Sequence, residues 1–137
     1  MKALQNMKTV KTALLAAGIA MTLACGYSHS MTPPTAGTMP VIKALNPTDV
    51  NHGTQAFSLE VDGTGFNSTA VVNFNQAAMA TAWTNSGKVT AMIPASAIMN
   101  AGMVNVTVTN PAVTGTGPYG GGGMTAQTST PMAFTIN

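Results

Sequence analysis

Asp49 and His52 stand three residues apart, directly before Gly53 and among several Ser and Thr side chains. Those residue types are the parts of a hydrolytic triad, in which His takes a proton from a hydroxyl while the acid orients the ring. Both, however, follow Pro47 in a stretch where polar residues are expected simply because the chain turns. Asp49, Glu60 and Asp62 are the only acids in the chain, and His52 is the only imidazole besides His29. Such scattered donors do not make a metal cluster, and a calcium ion wants six to eight oxygens. The four glycines Gly120 to Gly123 could wrap a phosphate, but no Lys follows them and no helix opens after them. The chain is therefore read as non-enzymatic, with no catalytic residues, no metal and no cofactor.

Two aromatic residues are the remaining candidate contacts, for a protein or a glycan. Trp83, ahead of "TNSG", is either packing at the rim of a core or a stacking platform for a sugar. Tyr119 lies in "TGTGPYGGGGMTAQTSTP", residues 114 to 131. That stretch joins the last two expected strands, where a hairpin normally needs two to five residues. It is either a passive flexible insertion or a recognition loop with Tyr119 as its anchor. The ordering entropy of its glycines favours the passive reading. The methionines that follow Cys25 are spread through strands and loops, which suits adaptable packing better than a copper site.

Cys25 is the only cysteine, so no intramolecular disulfide is possible. Lys2, Lys8 and Lys11 are followed by the apolar run "TALLAAGIAMTLA", Thr12 to Ala24. A basic head and a short apolar run form the pattern of a secretory signal peptide, and the run is shorter than the roughly 20 residues of a transmembrane span. Leu23, Ala24 and Cys25 resemble the end of a bacterial lipobox, with Thr22 standing where Leu is usual. The resemblance implies cleavage before Cys25 and a diacylglycerol on its sulfur. The alternative is an apolar Cys25 within a differently processed segment. Lipidation anchors a chain with about 0.8 kcal/mol per buried CH₂, durably once two acyl chains are present.

The expected organisation is thus a signal peptide over residues 1–24, a lipid-anchored flexible tether over 25–39, and one domain over 40–137. Without residues 1–24, Lys43 and Lys88 face Asp49, Glu60 and Asp62, a net charge of −1 with His neutral. No basic patch remains to follow a phosphate backbone, so nucleic acid is excluded as a partner. The segment "GYSHSMTPPTAGTMP", residues 26 to 40, has the composition of a semi-extended tether.

From Val41 onward, short apolar runs alternate with turn residues, the signature of an all-β sandwich or barrel. Strict alternation places Phe57, Leu59 and Val61 on one face, and likewise Val72 and Phe74; Val89, Ala91 and Ile93; Val104, Val106 and Val108; and Met132, Phe134 and Ile136. "VIKAL" is a further strand, Asn75-Gln76 a tight turn, "AAMATAW" a weaker strand, and "PASAIMNAG" a short helical turn or loop across the end of the sheets after Pro94 has ended its strand. About seven strands result, and no amphipathic helix beyond the signal-peptide helix.

The order Pro47, Gly53, Gly63-Thr64-Gly65-Phe66, Ile93-Pro94-Ala95, Asn110-Pro111 resembles the IPT/TIG group of immunoglobulin-like domains, over residues 40 to 137. The resemblance implies a two-sheet immunoglobulin-like β-sandwich serving as a binding, spacer or adhesion module. The chain lacks the cysteines of receptor members and the Arg-rich loops of DNA-binding members. The implied setting is the bacterial envelope: an exported, membrane-anchored lipoprotein on the outer membrane or cell surface. Within the corner, Gly63 and Gly65 are expected at positive φ and Phe66 as a plug at the end of the core. The alternatives are a surface assembly subunit that exchanges its N-terminal strand, and an accessory carbohydrate-binding module of a separate enzyme.

Overall fold

The computed structural model describes residues 33–115 and 122–137. Cys25 and Tyr119 lie outside them, as do the expected signal peptide and the first part of the expected tether. The described residues contain no α-helix and form two facing sheets and a separate two-stranded ribbon.

The first sheet holds β2 (Val41–Asn46), β4 (Phe57–Thr64), β8 (Lys88–Ile93) and β7 (Ala80–Asn85), in that spatial order and antiparallel throughout. The second runs β3 (Asp49–Val50), β12 (Met132–Ile136), β9 (Gly102–Asn110), β5 (Val71–Phe74), β6 (Ala77–Ala78), with β11 (Gln127–Thr128) also on β9. This is the strand arrangement of an immunoglobulin-like sandwich. Alternate residues of both sheets meet between them. Leu59, Val61, Val89, Ala91 and Ile93 from the first, and Val72, Phe74, Val106, Val108 and Phe134 from the second, are fully buried. Phe134 stacks on Phe57 at 5.9 Å and takes Phe74 edge-on at 5.4 Å, so one aromatic trio joins the sheets. The core strands are those expected from alternation.

Bulges and crossings account for what alternation does not show. Ile42 and Leu45 are both buried although three residues apart, because the register with β4 slips by one at Lys43. "AAMATAW" is two strands rather than one. Ala77–Ala78 pairs with β5 across a two-residue turn, and Ala80–Asn85 then joins β8 in the other sheet. Asn75 and Gln76 both take positive φ, as a type I′ hairpin requires. On the opposite side the chain crosses from β2 to β3, which pairs in parallel with β12. Each side of the sandwich is therefore stitched by a strand that changes sheets, which shortens the exposed edges. A short 3₁₀ helix, Ala95–Ile98, follows Pro94 as expected and buries Ile98.

Two stretches expected to run free are held at their described ends. Within the tether, β1 (Thr35–Ala36) pairs in parallel with β10 (Met124–Thr125) from the glycine-rich segment, and Pro40 is fully buried. Val113 and Met124 exchange backbone hydrogen bonds of 2.9 and 2.8 Å, closing the base of that loop. The expected positive φ holds at Gly65 but not at Gly63. Gly63 is required for a different reason: a Cβ there would fall on the Val41 carbonyl oxygen and against the Phe66 ring.

Candidate functional site

The parallel pairing of β3 with β12 brings Asp49 and His52 to Asn137. The Asn137 backbone oxygen accepts from His52 N at 2.8 Å and lies 2.6 Å from His52 Nδ1. A main-chain oxygen of this kind accepts, so the contact calls for the tautomer with the proton on Nδ1. The Asn137 side-chain amide donates to Asp49 Oδ2 at 2.7 Å, and Thr48 Oγ1 donates to Asp49 Oδ1 at 3.1 Å. Asp49 and His52 therefore share a partner instead of bonding each other. Their spacing serves a strand clasp, and the acid does not orient the imidazole as a triad would need.

The other two acids face Lys88 across the first sheet. Lys88 Nζ lies 2.7 Å from Glu60 Oε1 and 3.4 Å from Asp62 Oδ1. The hydrogen bond with Glu60, then the charge of Asp62, hold the Lys88 amine above its usual value despite some loss of hydration. Among the described residues no group of three His, Cys, Asp or Glu stands close enough to hold a metal ion.

Trp83 lies on edge strand β7 with 43 % of its surface exposed. Its Nε1 donates to the Phe66 backbone oxygen at 3.1 Å, so the polar handle of the indole is used to brace the Gly63–Phe66 corner. Phe66 is buried at the end of the core, as expected of a plug, and its N–H is bonded to Ser86 O at 3.0 Å.

The residue that organises this end of the domain was not among those singled out by chemistry. Asn110 is 2 % exposed. Its Nδ2 donates to Thr38 O at 2.8 Å and to Gly65 O at 2.7 Å, and its Oδ1 accepts from Asn67 N at 3.0 Å. One amide thus ties the end of β9 to the corner and to the incoming chain at Thr38. The signal for it was present: the alternation that buries Val106 and Val108 also turns residue 110 inward, and a buried amide must find partners. Ser129 acts similarly in the break between β11 and β12. Pro131 has no N–H and the register slips by one between β11 and β12, where Ser129 Oγ accepts from Val108 N at 3.0 Å.

At the opposite end of the sandwich a cavity of about 390 Å³ opens between the β5–β6 turn and the segment from Ser96 to Val104. Phe74 and Ile136 form part of its lining, Met79, Met99 and Met103 add thioethers, and Asn75 and Asn100 supply amides. Met99 and Met103 are 66 % and 73 % exposed. A hollow with flexible thioether walls and amides among them offers a ligand both dispersion contacts and hydrogen bonds.

No curated protein and no solved structure matches the chain. The IPT/TIG domain model matches residues 40–136, including the Gly63–Phe66 corner, the Ile93–Ala95 segment and the Asn110-Pro111 step. The chain belongs to the IPT/TIG domain family.

Proposed function

We propose that this protein is a non-catalytic, lipid-anchored envelope module: export on residues 1–24, diacylglycerol on Cys25, and an IPT/TIG sandwich displayed for binding. The observation that carries the non-catalytic reading is how the fold uses its few ionisable groups. Asp49 and His52 are bonded to Asn137, and Lys88 is paired with Glu60 and Asp62. Of the described ionisable side chains, that leaves Lys43, placed in a bulge of an outer strand. Among the described residues, a candidate surface for a ligand is the methionine-lined cavity at the end opposite the tether.

Strand exchange draws less support, because Thr35–Ala36 already pairs within its own chain. A sugar platform on Trp83 draws less support too, since the indole N–H is bonded inside the corner. Intact mass of protein extracted from membranes tests the anchor. Cleavage before Cys25 with an added diacylglycerol is expected, and Cys25→Ser should release the chain into the soluble fraction. A chain that keeps residues 1–24, or turnover lost in Asp49→Asn or His52→Gln, would overturn the proposal.

A further inference from the structure

We propose that the end of the domain reached by the tether is a membrane-contact surface, lying against the lipid interface. Five exposed apolar side chains gather there: Met39, Val41, Trp83, Val113 and Met124, each 43–57 % exposed. The hydrogen bonds show that they share one end. Val113 and Met124 pair with each other, and Met124 pairs with Thr35. Asn110 joins Thr38, next to Met39, to Gly65. Trp83 bonds Phe66, and Val41 pairs with Thr64.

This end also carries no charge. Residues 33–42, 63–87 and 108–115 contain no Asp, Glu, Lys or Arg; the charges bordering this end are Lys43, in the β2 bulge, and Asp62, which shares Lys88 with Glu60. Exposed apolar groups without charge, rimmed by Thr, Ser and Asn, favour the headgroup boundary of a bilayer over open water. Trp suits that boundary especially, with an apolar ring and one polar edge.

Chain reach selects a lipid surface as the occupant, and this step rests on the anchor proposed at Cys25. Between Cys25 and Pro33 the chain extends at most about 28 Å, at roughly 3.5 Å per residue. The nine residues of β9 set the domain height at about 30 Å. The tethered end is therefore held at the bilayer, while Met99 and Met103 at the far end could reach it only with the tether fully stretched. Contact at the near end also points the methionine-lined cavity away from the membrane.

Trp83 is the only tryptophan in the chain and reports directly on the contact. The chain extracted from membranes is placed in phosphatidylcholine vesicles with brominated acyl chains. Where intact mass finds no acyl group, the full chain is coupled through its sole Cys25 thiol to a maleimide phospholipid instead, so anchoring and contact are tested separately. Bromolipid should quench Trp83, and its quenching by aqueous acrylamide should fall severalfold relative to Cys25→Ser in solution. The double variant Val113→Ser, Met124→Ser should restore the aqueous quenching, with an unchanged denaturation midpoint. Met99→Ser with Met103→Ser should leave the shielding intact. An anchored chain whose Trp83 stays as open to acrylamide as the unanchored one would overturn the proposal and reassign this end to a protein partner.

Discussion

Asn110→Ala removes the one side chain that joins β9, the Gly63–Phe66 corner and the incoming chain. Three hydrogen bonds of 2.7 to 3.0 Å are lost. A neutral hydrogen bond contributes about 1 kcal/mol net, and stranding a fully buried partner adds to that. Here Thr38 is exposed, and Gly65 and Asn67 are half-buried, so water can reach the abandoned groups. The loss should therefore lie near 3 kcal/mol and not far above it. For a domain of this size that lowers Tm by roughly 12–24 °C, at about 4–8 °C per kcal/mol. Urea denaturation followed by Trp83 fluorescence measures it, with a reporter bonded to the same corner.

Asn110→Asp separates the amide's donors from mere volume. It keeps an acceptor for Asn67 N–H but turns a carboxylate oxygen toward the Thr38 and Gly65 carbonyls. At neutral pH it should be more damaging than alanine, and it should partly recover in acid as the carboxyl gains a proton that can be donated. An alanine variant that loses under about 1 kcal/mol, or an aspartate variant milder than alanine at neutral pH, would refute the clasp.

Gly63→Ala should cost at least about 3 kcal/mol, because its Cβ overlaps backbone that cannot yield. Gly53→Ala, with positive φ but open space around it, should cost only about 1–2 kcal/mol; equal urea midpoints for the two would contradict the steric account. Ser129→Ala should cost about 1–3 kcal/mol by orphaning Val108 N–H within the sheet. Amide exchange at Val108 should accelerate in that variant beyond the change at Val106. Lys88 has a folded-state pKa above its ordinary 10.5, so its contribution is complete below that value and fades as pH rises through the raised one. Denaturation midpoints should fall more steeply in alkali for the native chain than for Lys88→Met, and parallel curves would contradict the pairing with Glu60.

The strands most legible in the sequence are those whose two faces meet different solvents. Leu59 and Val61 alternate with Glu60 and Asp62, and Val106 and Val108 with Thr107 and Thr109, because each strand packs on one side only. Period two reports a face but never a neighbour. Nothing local to Thr35 announces Met124 as its partner, and nothing in "AAMATAW" announces a change of sheet. Bulges escape for a related reason. Ile42 and Leu45 break the period of two, and only the antiparallel partner strand shows that the slip at Lys43 restores them to one face.

The site divides along the same line. Asp49, His52 and Trp83 drew notice by residue type, yet their polar atoms are spent on Asn137 and Phe66, backbone and side-chain partners far along the chain. Asn110 drew notice only as part of the Asn110-Pro111 step of the family resemblance, although strand phase already turned it inward. In a chain with so few charges, residue type is a poor guide to chemistry, because each polar group is scarce enough to be taken up by the fold itself. What remains for recognition is largely uncharged and unevenly placed: exposed apolar side chains at the end where the chain enters, and thioethers with amides around a cavity at the other. Contacts of that kind act at van der Waals range and are little screened by salt. Binding at either end should therefore answer to changes in shape at Met99, Met103, Val113 or Met124, and hardly at all to ionic strength.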